Sequence, residues 1–285
     1  MSLVIALHGG AGVMRRDKPG AEQRRVLEQA LEAACAARTA LDAVCAAVVM
    51  LEDSPLFNAG RGSCFNSDGE IEMDASIMDG EKLRAGAVAA VRRIRNPILA
   101  ARAVMERTRH VLLAGDGAER FARRHGLRLE AASYFRTEKR LQALRRNLKN
   151  YHGTVGAVAL DRDGNLAAAT STGGYTGKMP GRIGDSPLVG AGTYADNRGC
   201  AVSGTGLGEA FIRAAVGHDV CARMRYMKAP LLTAARAALR NVASLGGDGG
   251  LVAVDRRGNV AMPFNSEGMY RACIDRQGRR TIAIF

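Results

Sequence analysis

Residues 152–174 read HGTVGAVALDRDGNLAAATSTGG. Two runs of small apolar residues, VGAVAL at 155–160 and LAAATS at 166–171, flank DRDGN, whose Asp163-Gly164 pair suits a hairpin turn. The design returns at 251–264 as LVAV, DRRGN and VAMPF. Two such hairpins are expected to supply central strands of a sheet, and the apolar helices predicted at 207–225 and 229–243 can cover one face. A layered α+β or α/β architecture follows.

Working outward, LVIAL at 3–7 is a buried-strand pattern that runs into a predicted turn, His8-Gly9-Gly10-Ala11-Gly12. Apolar positions then repeat at helical spacing, first Val26, Leu27, Ala30, Leu31 and Ala34, then Leu41, Val44, Ala47, Val48 and Leu51, with a break near Arg38-Thr39. A glycine-punctuated segment at 57–80 alternates short strand-like pieces with turns. A strand is expected at 85–91, and a helix opened by Asn96-Pro97, where Asn can cap and Pro fits the first turn. Residues 136–152 are basic, with Leu141, Ala143, Leu144 and Leu148 as apolar anchors, and read as an exposed linker or a marginal helix.

The chain has 285 residues, 47% hydrophobic and 24% charged, enough for an ample core. Aromatics are 5% with no tryptophan, which argues against a sugar-binding or base-stacking surface. The longest strongly apolar stretch, Ala43 to Leu51, is far below the roughly 20 residues of a membrane-spanning helix, and the N-terminus lacks the pattern of a secretory signal. Six cysteines are scattered without a CxxC pair. A reduced, cytoplasmic protein is expected, with mostly buried structural thiols. A net charge of +13 raises the question of a polyanionic partner. Much of it sits at Arg123-Arg124 and between Arg136 and Lys149, without interleaved aromatics, so no specific nucleic-acid partner is expected.

The chain has no GxSxG elbow, phosphate loop, HExxH or GxGxxG after a strand. The five histidines, His8, His110, His125, His152 and His218, are dispersed and read as structural or surface groups. What remains is a density of Thr, Gly, Arg and Asp between 152 and 209. On residue chemistry alone, Thr154 is a strand-start threonine, Thr172 a strand-end hydroxyl, Arg182 and Asp185 a surface pair, and Thr205-Gly206 a helix-entry turn.

Together, the 152–174 stretch, GRIGDSPLVGAGTYADN at 181–197 and SGTGLGE at 203–209 resemble the plant-type asparaginase and isoaspartyl peptidase family of N-terminal-nucleophile hydrolases. IALHGGAG, PLFNAGRG, DASIMDG, AGAVAAV, NPILAAR and GGDGGLVAVDRRGNVAMPFNSEGMYRA extend the resemblance over all but 127–152.

The resemblance implies a single domain folded as a four-layer αββα sandwich. It would be made as one precursor and cut at Gly153-Thr154 into an α-subunit (1–153) and a β-subunit (154–285), with two αβ units associating. Thr154 would be nucleophile and, through its freed α-amine, base. Thr172 would orient the Thr154 hydroxyl, Arg182 and Asp185 would clamp the α-carboxylate and α-ammonium of a small amide substrate, and Thr205 and Gly206 would stabilise the oxyanion. Asn58 matches an asparagine near the site. Backbone carbonyls of Leu51, Glu52, Ser54, Phe57, Ala59 and Arg61 match a loop that holds structural sodium in some relatives; no cofactor is expected to be required.

The implied substrates are L-asparagine and β-aspartyl dipeptides. Glycosylasparagine, a protein substrate as in threonine aspartases, and an uncleaved basic nucleic-acid-binding or scaffold role are the alternatives. Two departures stand out. A short basic linker with His152 before Gly153 is expected to slow or re-trigger cleavage, and Leu207 beside Thr205-Gly206 is expected to narrow the substrate range.

Overall fold

The computed structural model describes residues 3–12, 14, 20–146 and 153–285. The first half runs β1 (Val4–Gly12), α1 (Ala21–Cys35), α2 (Ala40–Asp53), β2 (Met73–Asp79), β3 (Arg84–Val91), α3 (Pro97–Arg107), β4 (Leu112–Ala114), α4 (Gly115–Arg124), α5 (Ala132–Phe135) and α6 (Glu138–Arg145). The second continues with β5 (Val155–Leu160), β6 (Leu166–Thr172), β7 (Thr193–Ala195), β8 (Cys200–Gly206), α7 (Gly208–Ala214), α8 (Val216–Met227), α9 (Leu231–Ser244), β9 (Gly249–Asp255), β10 (Val260–Ala261), β11 (Gly268–Ile274) and β12 (Arg280–Ala283).

The strands form two sheets, one ordered β12-β11-β1-β5-β6-β2-β3-β4 and the other β10-β9-β8-β7. Side-chain alternation along each strand explains why both faces are apolar. Ala157, Ala159, Ala167 and Ala169 join Leu27, Leu31, Val44 and Val48 of α1 and α2 in the largest core cluster. Their alternates Val158, Leu160, Leu166 and Ala168 meet Ala201, Val252 and Val254 of the second sheet. On that sheet's far side, Val202, Leu251 and Ala253 pack with Phe211, Val220, Ala235 and Leu239 of α7, α8 and α9. The result is a four-layer αββα sandwich with small residues in its central hairpin, so the layers lie close together.

The β5–β6 turn is held less by the Asp163-Gly164 pair than by Asp161, whose Oδ1 accepts the N–H of Asp163 and Asn165 at 3.0 and 2.9 Å. Asp255 does the same with Arg257 and Asn259, and Asp275 with Gln277 and Arg279. The glycines Gly164, Gly258 and Gly278 take φ of 81°, 77° and 78° at equivalent places, a conformation that costs a residue without a β-carbon little. The third copy, between β11 and β12, was not among the expected hairpins. The two expected ones fall in different sheets: β5 and β6 are central, whereas β10 is a two-residue edge strand.

Three local expectations need correction. His8 to Gly12 is no turn; β1 continues through it, with a register shift between His8 and Gly10 against β11. The helix expected at 207–225 is two, broken where Ala215 takes φ 45°. Asn96 stands at the N-terminus of α3 but its amide donates to Asp53 Oδ1 at 3.1 Å and does not cap the helix. Residues 138–145 form a helix packed on the core through Leu141 and Leu144, with Ala143 buried, while Leu148 and His152 lie outside the described residues. Five of the six cysteines are buried and all are free, and no described helix is long and apolar enough to cross a membrane.

Candidate active site

The start of β5 and the end of β6 are antiparallel neighbours, so hairpin register brings Thr154 and Thr172 together. Thr154 Oγ1 donates to Thr172 Oγ1 at 3.1 Å, and Thr172 Oγ1 donates onward to the Gly153 carbonyl at 3.2 Å. The Gly174 N–H, at 3.0 Å from Thr172 Oγ1, fixes that hydroxyl from the other side. A second donor reaches the same carbonyl: Asn58 Nδ2, 2.6 Å from Gly153 O and 2.5 Å from Gly174 O. Asn58 is fully buried, and its Oδ1 accepts the Cys64 N–H at 2.8 Å. The carbonyl before Thr154 is therefore polarised by two donors, while the hydroxyl of Thr154 is held beside it.

The glycine-rich end of β1 packs across this point. A β-carbon at Gly10, where φ is 109°, would lie 2.9 Å from Gly153 Cα and 3.3 Å from Thr154 N. One residue on, the Ala11 N–H donates to Thr205 Oγ1 at 3.2 Å. That bond uses a lone pair of the buried Thr205 hydroxyl and leaves its hydrogen available to an anionic oxygen. Gly206 follows at the end of β8, where a β-carbon would collide with the Asp248 carbonyl. Leu207 packs against the apolar cluster of α7, α8 and α9, and its N–H bonds Asp248 O at 3.0 Å.

Arg182 and Asp185 do not pair with each other. They flank Gly208, where a β-carbon would lie 2.7 Å from Arg182 Nη2 and 3.0 Å from Asp185 Oδ1. Arg182 is instead held by Glu209, with Nε and Nη2 donating to the two carboxylate oxygens at 2.9 Å each, and its guanidinium lies 4.6 Å from the Tyr175 ring centroid. Asp185 is buried, and its Oδ2 makes no hydrogen bond with the described residues. Burial raises its carboxyl to about 7; a backbone hydrogen bond and the Arg182 charge oppose the shift, and Glu209 and Asp74 add to it. One fixed cation and one buried acid around a glycine suit a zwitterionic ligand.

Asn58 sits in the loop that follows α2. Within it the Leu51 and Ala59 carbonyls accept the N–H of Ser54 and Gly62, and the Glu52 and Phe57 carbonyls crowd the positions that β-carbons at Gly60 and Gly62 would take. Backbone carbonyl oxygens are hard donors of the type an alkali cation takes.

Two further residues touch the site. His8, read from the sequence as structural or surface, is fully buried with Nδ1 2.9 Å from the Thr154 carbonyl. Glu209, read as a first-turn acid, is the partner of Arg182. The signal for Glu209 was present in SGTGLGE, three residues after Gly206; His8 carried none, since its contacts are 146 and 195 residues away.

The αββα layering, with a hairpin threonine beside a polarised carbonyl, is the architecture of an N-terminal-nucleophile hydrolase. The family model described as asparaginase matches residues 1–151 and 146–284. The chain is 50% identical over 294 residues to the isoaspartyl peptidase of Escherichia coli (strain K12), covering 94% of this chain and 92% of that protein. It is 41% identical to the isoaspartyl peptidase/L-asparaginase of Danio rerio, covering 99% and 95%, and 42% identical to the plant-type L-asparaginase of Pyrobaculum calidifontis, covering 94% and 95%. The chain belongs to the asparaginase family of hydrolases.

Proposed function

We propose that this chain cleaves itself at Gly153-Thr154 and then hydrolyses β-aspartyl dipeptides and L-asparagine through Thr154. The observation that carries the reading is the Gly153 carbonyl, which accepts from both Asn58 and Thr172 beside the Thr154 hydroxyl.

In the precursor, Thr154 Oγ attacks the Gly153 carbonyl carbon. Its proton passes to Thr172 as Thr172 gives its own to the carbonyl oxygen. Breaking the C–N bond, with a proton to the nitrogen, leaves an ester, and water hydrolyses it to a Gly153 carboxylate and a Thr154 with a free amine. The two halves stay joined, because β1 of the first half lies between β11 and β5 of the second, and β2 pairs with β6.

An α-amine with an ordinary pKa of about 7.7–8.0 can take the Thr154 hydroxyl proton at neutral pH. The alkoxide adds to the side-chain amide carbon of the substrate, and Thr205 Oγ and the Gly206 N–H receive the oxyanion. The leaving amine takes the proton, and water then cleaves the aspartyl ester. Arg182 and Asp185 hold the α-carboxylate and α-ammonium, the part that asparagine and β-aspartyl peptides share, so the leaving side can vary.

The test is a side-by-side product assay with β-aspartyl-leucine, L-asparagine, an α-aspartyl peptide and glycosylasparagine. The first two should turn over and the α-aspartyl peptide should not, because its α-carboxyl is tied up in the peptide bond and its side chain carries no amide. Preferential release of a glycosylamine, or cutting of a protein after aspartate, would reassign the substrate and spare the Thr154 chemistry. In the same reading the 51–61 loop holds sodium. Exchange of sodium for a bulky tetraalkylammonium should lower the melting temperature and slow cleavage, since the loop carries Asn58; indifference to the ion would remove it.

A further inference from the structure

Beside Thr154, five buried polar side chains from β1, β2, β6, β7 and β8 stand in line. His8 Nδ1 lies 2.9 Å from the Thr154 carbonyl and Nε2 lies 3.0 Å from Ser203 Oγ. Ser203 Oγ is 2.7 Å from Thr170 Oγ1, which accepts from Thr193 Oγ1 at 2.6 Å. Ser76 Oγ lies 2.7 Å from Thr193 Oγ1 and 2.6 Å from the Ser186 carbonyl. All five side chains are buried.

The chemistry of the end group sets the direction along the line, in which the shorter hydroxyl–hydroxyl contacts outcompete the Gly192 carbonyl 3.3 Å from Thr170 Oγ1 and the Ser186 carbonyl 3.2 Å from Thr193 Oγ1. A carbonyl only accepts, so Nδ1 of His8 carries the proton. Burial keeps the imidazole neutral, its pKa down at about 3, and Nε2 is therefore an acceptor. Ser203 must spend its one hydrogen on Nε2, so Thr170 donates to Ser203 and Thr193 to Thr170. The Ser76 hydrogen is shared between Thr193 and the Ser186 carbonyl. Gly156 makes the meeting of His8 and Ser203 sterically feasible, since a β-carbon there would lie 2.6 Å from His8 Nε2 and collide with Ser203 Oγ.

We propose that Thr193, Thr170, Ser203 and His8 form a directed hydrogen-bond chain across the two sheets that positions Thr154 by its carbonyl. The role as a positioning device rests on the reading of Thr154 as nucleophile; the chain itself does not. His8 and the hydroxyls touch no substrate. They hold the backbone of Thr154 against the second sheet, which carries Thr205, so that nucleophile and oxyanion donor share one frame.

Two measurements test it. Long-range proton–nitrogen NMR of the processed protein, labelled at its five histidines, should show one ring protonated at Nδ1 and bare at Nε2. That signal should be missing from a His8→Asn variant. A His8 protonated at Nε2, or on both nitrogens, overturns the chain.

Kinetics then separate positioning from packing. Thr170→Val keeps the volume and removes the hydroxyl, and should lower kcat about tenfold at unchanged KM, the loss of about one hydrogen bond. Thr170→Ser keeps the hydroxyl and should retain kcat within about twofold. A valine variant as fast as the parent, or a serine variant as impaired as the valine, overturns the positioning role. Should Thr154→Ala protein still hydrolyse substrate, the nucleophile reading falls, and the His8 tautomer still decides whether the chain exists.

Discussion

The two ends of the site are finished to different degrees. At the hairpin end, the groups around the Gly153 carbonyl are well partnered: the carbonyl itself has two donors, Thr172 accepts and donates, and Asn58 makes three hydrogen bonds. At the clamp end, Arg182 is neutralised by a Glu209 side chain that is 48% exposed, and Asp185 keeps a buried carboxyl oxygen without a bond. The hairpin end thus has in place what an intramolecular reaction needs. On the proposed reading, the clamp end is completed by a molecule that brings its own ammonium and carboxylate. In that reading the protein first cuts itself and then acts on a zwitterion, and the two ends have these different tasks.

The comparison breaks if damage at one end spreads to the other. Asn58→Ala removes one of two donors from the Gly153 carbonyl and should slow cleavage by about 10²–10³, the range for one oxyanion donor. A time course of intact mass during refolding reads it, and parental speed would remove Asn58 from the reaction.

Arg182→Ala should leave cleavage intact and lower kcat/KM for β-aspartyl-leucine by about 2–3 kcal/mol. The lower part of the range for a desolvated charge pair applies because Glu209, partly in solvent, already offsets the charge. Near-normal hydrolysis would take Arg182 out of the clamp.

The smallest effect has opposite signs in activity and stability. Burial raises the Glu52 carboxyl from 4.5 to about 8 and that of Asp185 from 3.8 to about 7. The folded chain therefore holds protons on both acids that the unfolded chain releases near pH 4. Their contribution to stability is full below that pH and is lost as pH rises through about 7 to 8. Asp185→Asn and Glu52→Gln should each flatten the decline of melting temperature across this window. Asp185→Asn should also lose about tenfold in kcat/KM. A melting curve as steep as the parent's in both variants would contradict the burial argument.

What could be read from the sequence was what local pattern determines. Apolar runs around Asp-x-x-Gly-Asn placed the β5–β6 hairpin, and helical spacing with a break at Arg38-Thr39 placed α1 and α2. Thr154 and Thr172 met because a hairpin joins residues near in sequence. The failures were tertiary. Three glycines after His8 look like a turn, yet β1 keeps extending because β5 and β11 supply partners for its backbone on both sides. Asn96 prefers a carboxylate brought by α2 to its own helix end. Arg182 and Asp185 lie close in sequence, but their placement around Gly208 and the pairing of Arg182 with Glu209 depend on where β8 ends, which no spacing within 181–185 reports.

On the proposed mechanism, Thr154 cuts the bond before it and then serves as nucleophile. Intact mass spectrometry of the purified parent and of Thr154→Ala tests it most directly. The parent should give two fragments, one ending at Gly153 and one beginning at Thr154, and the variant one folded chain of 285 residues without amidase activity. A parent that stays whole and inactive would instead favour a scaffold role, and a Thr154→Ala chain still cut at this bond would contradict the account.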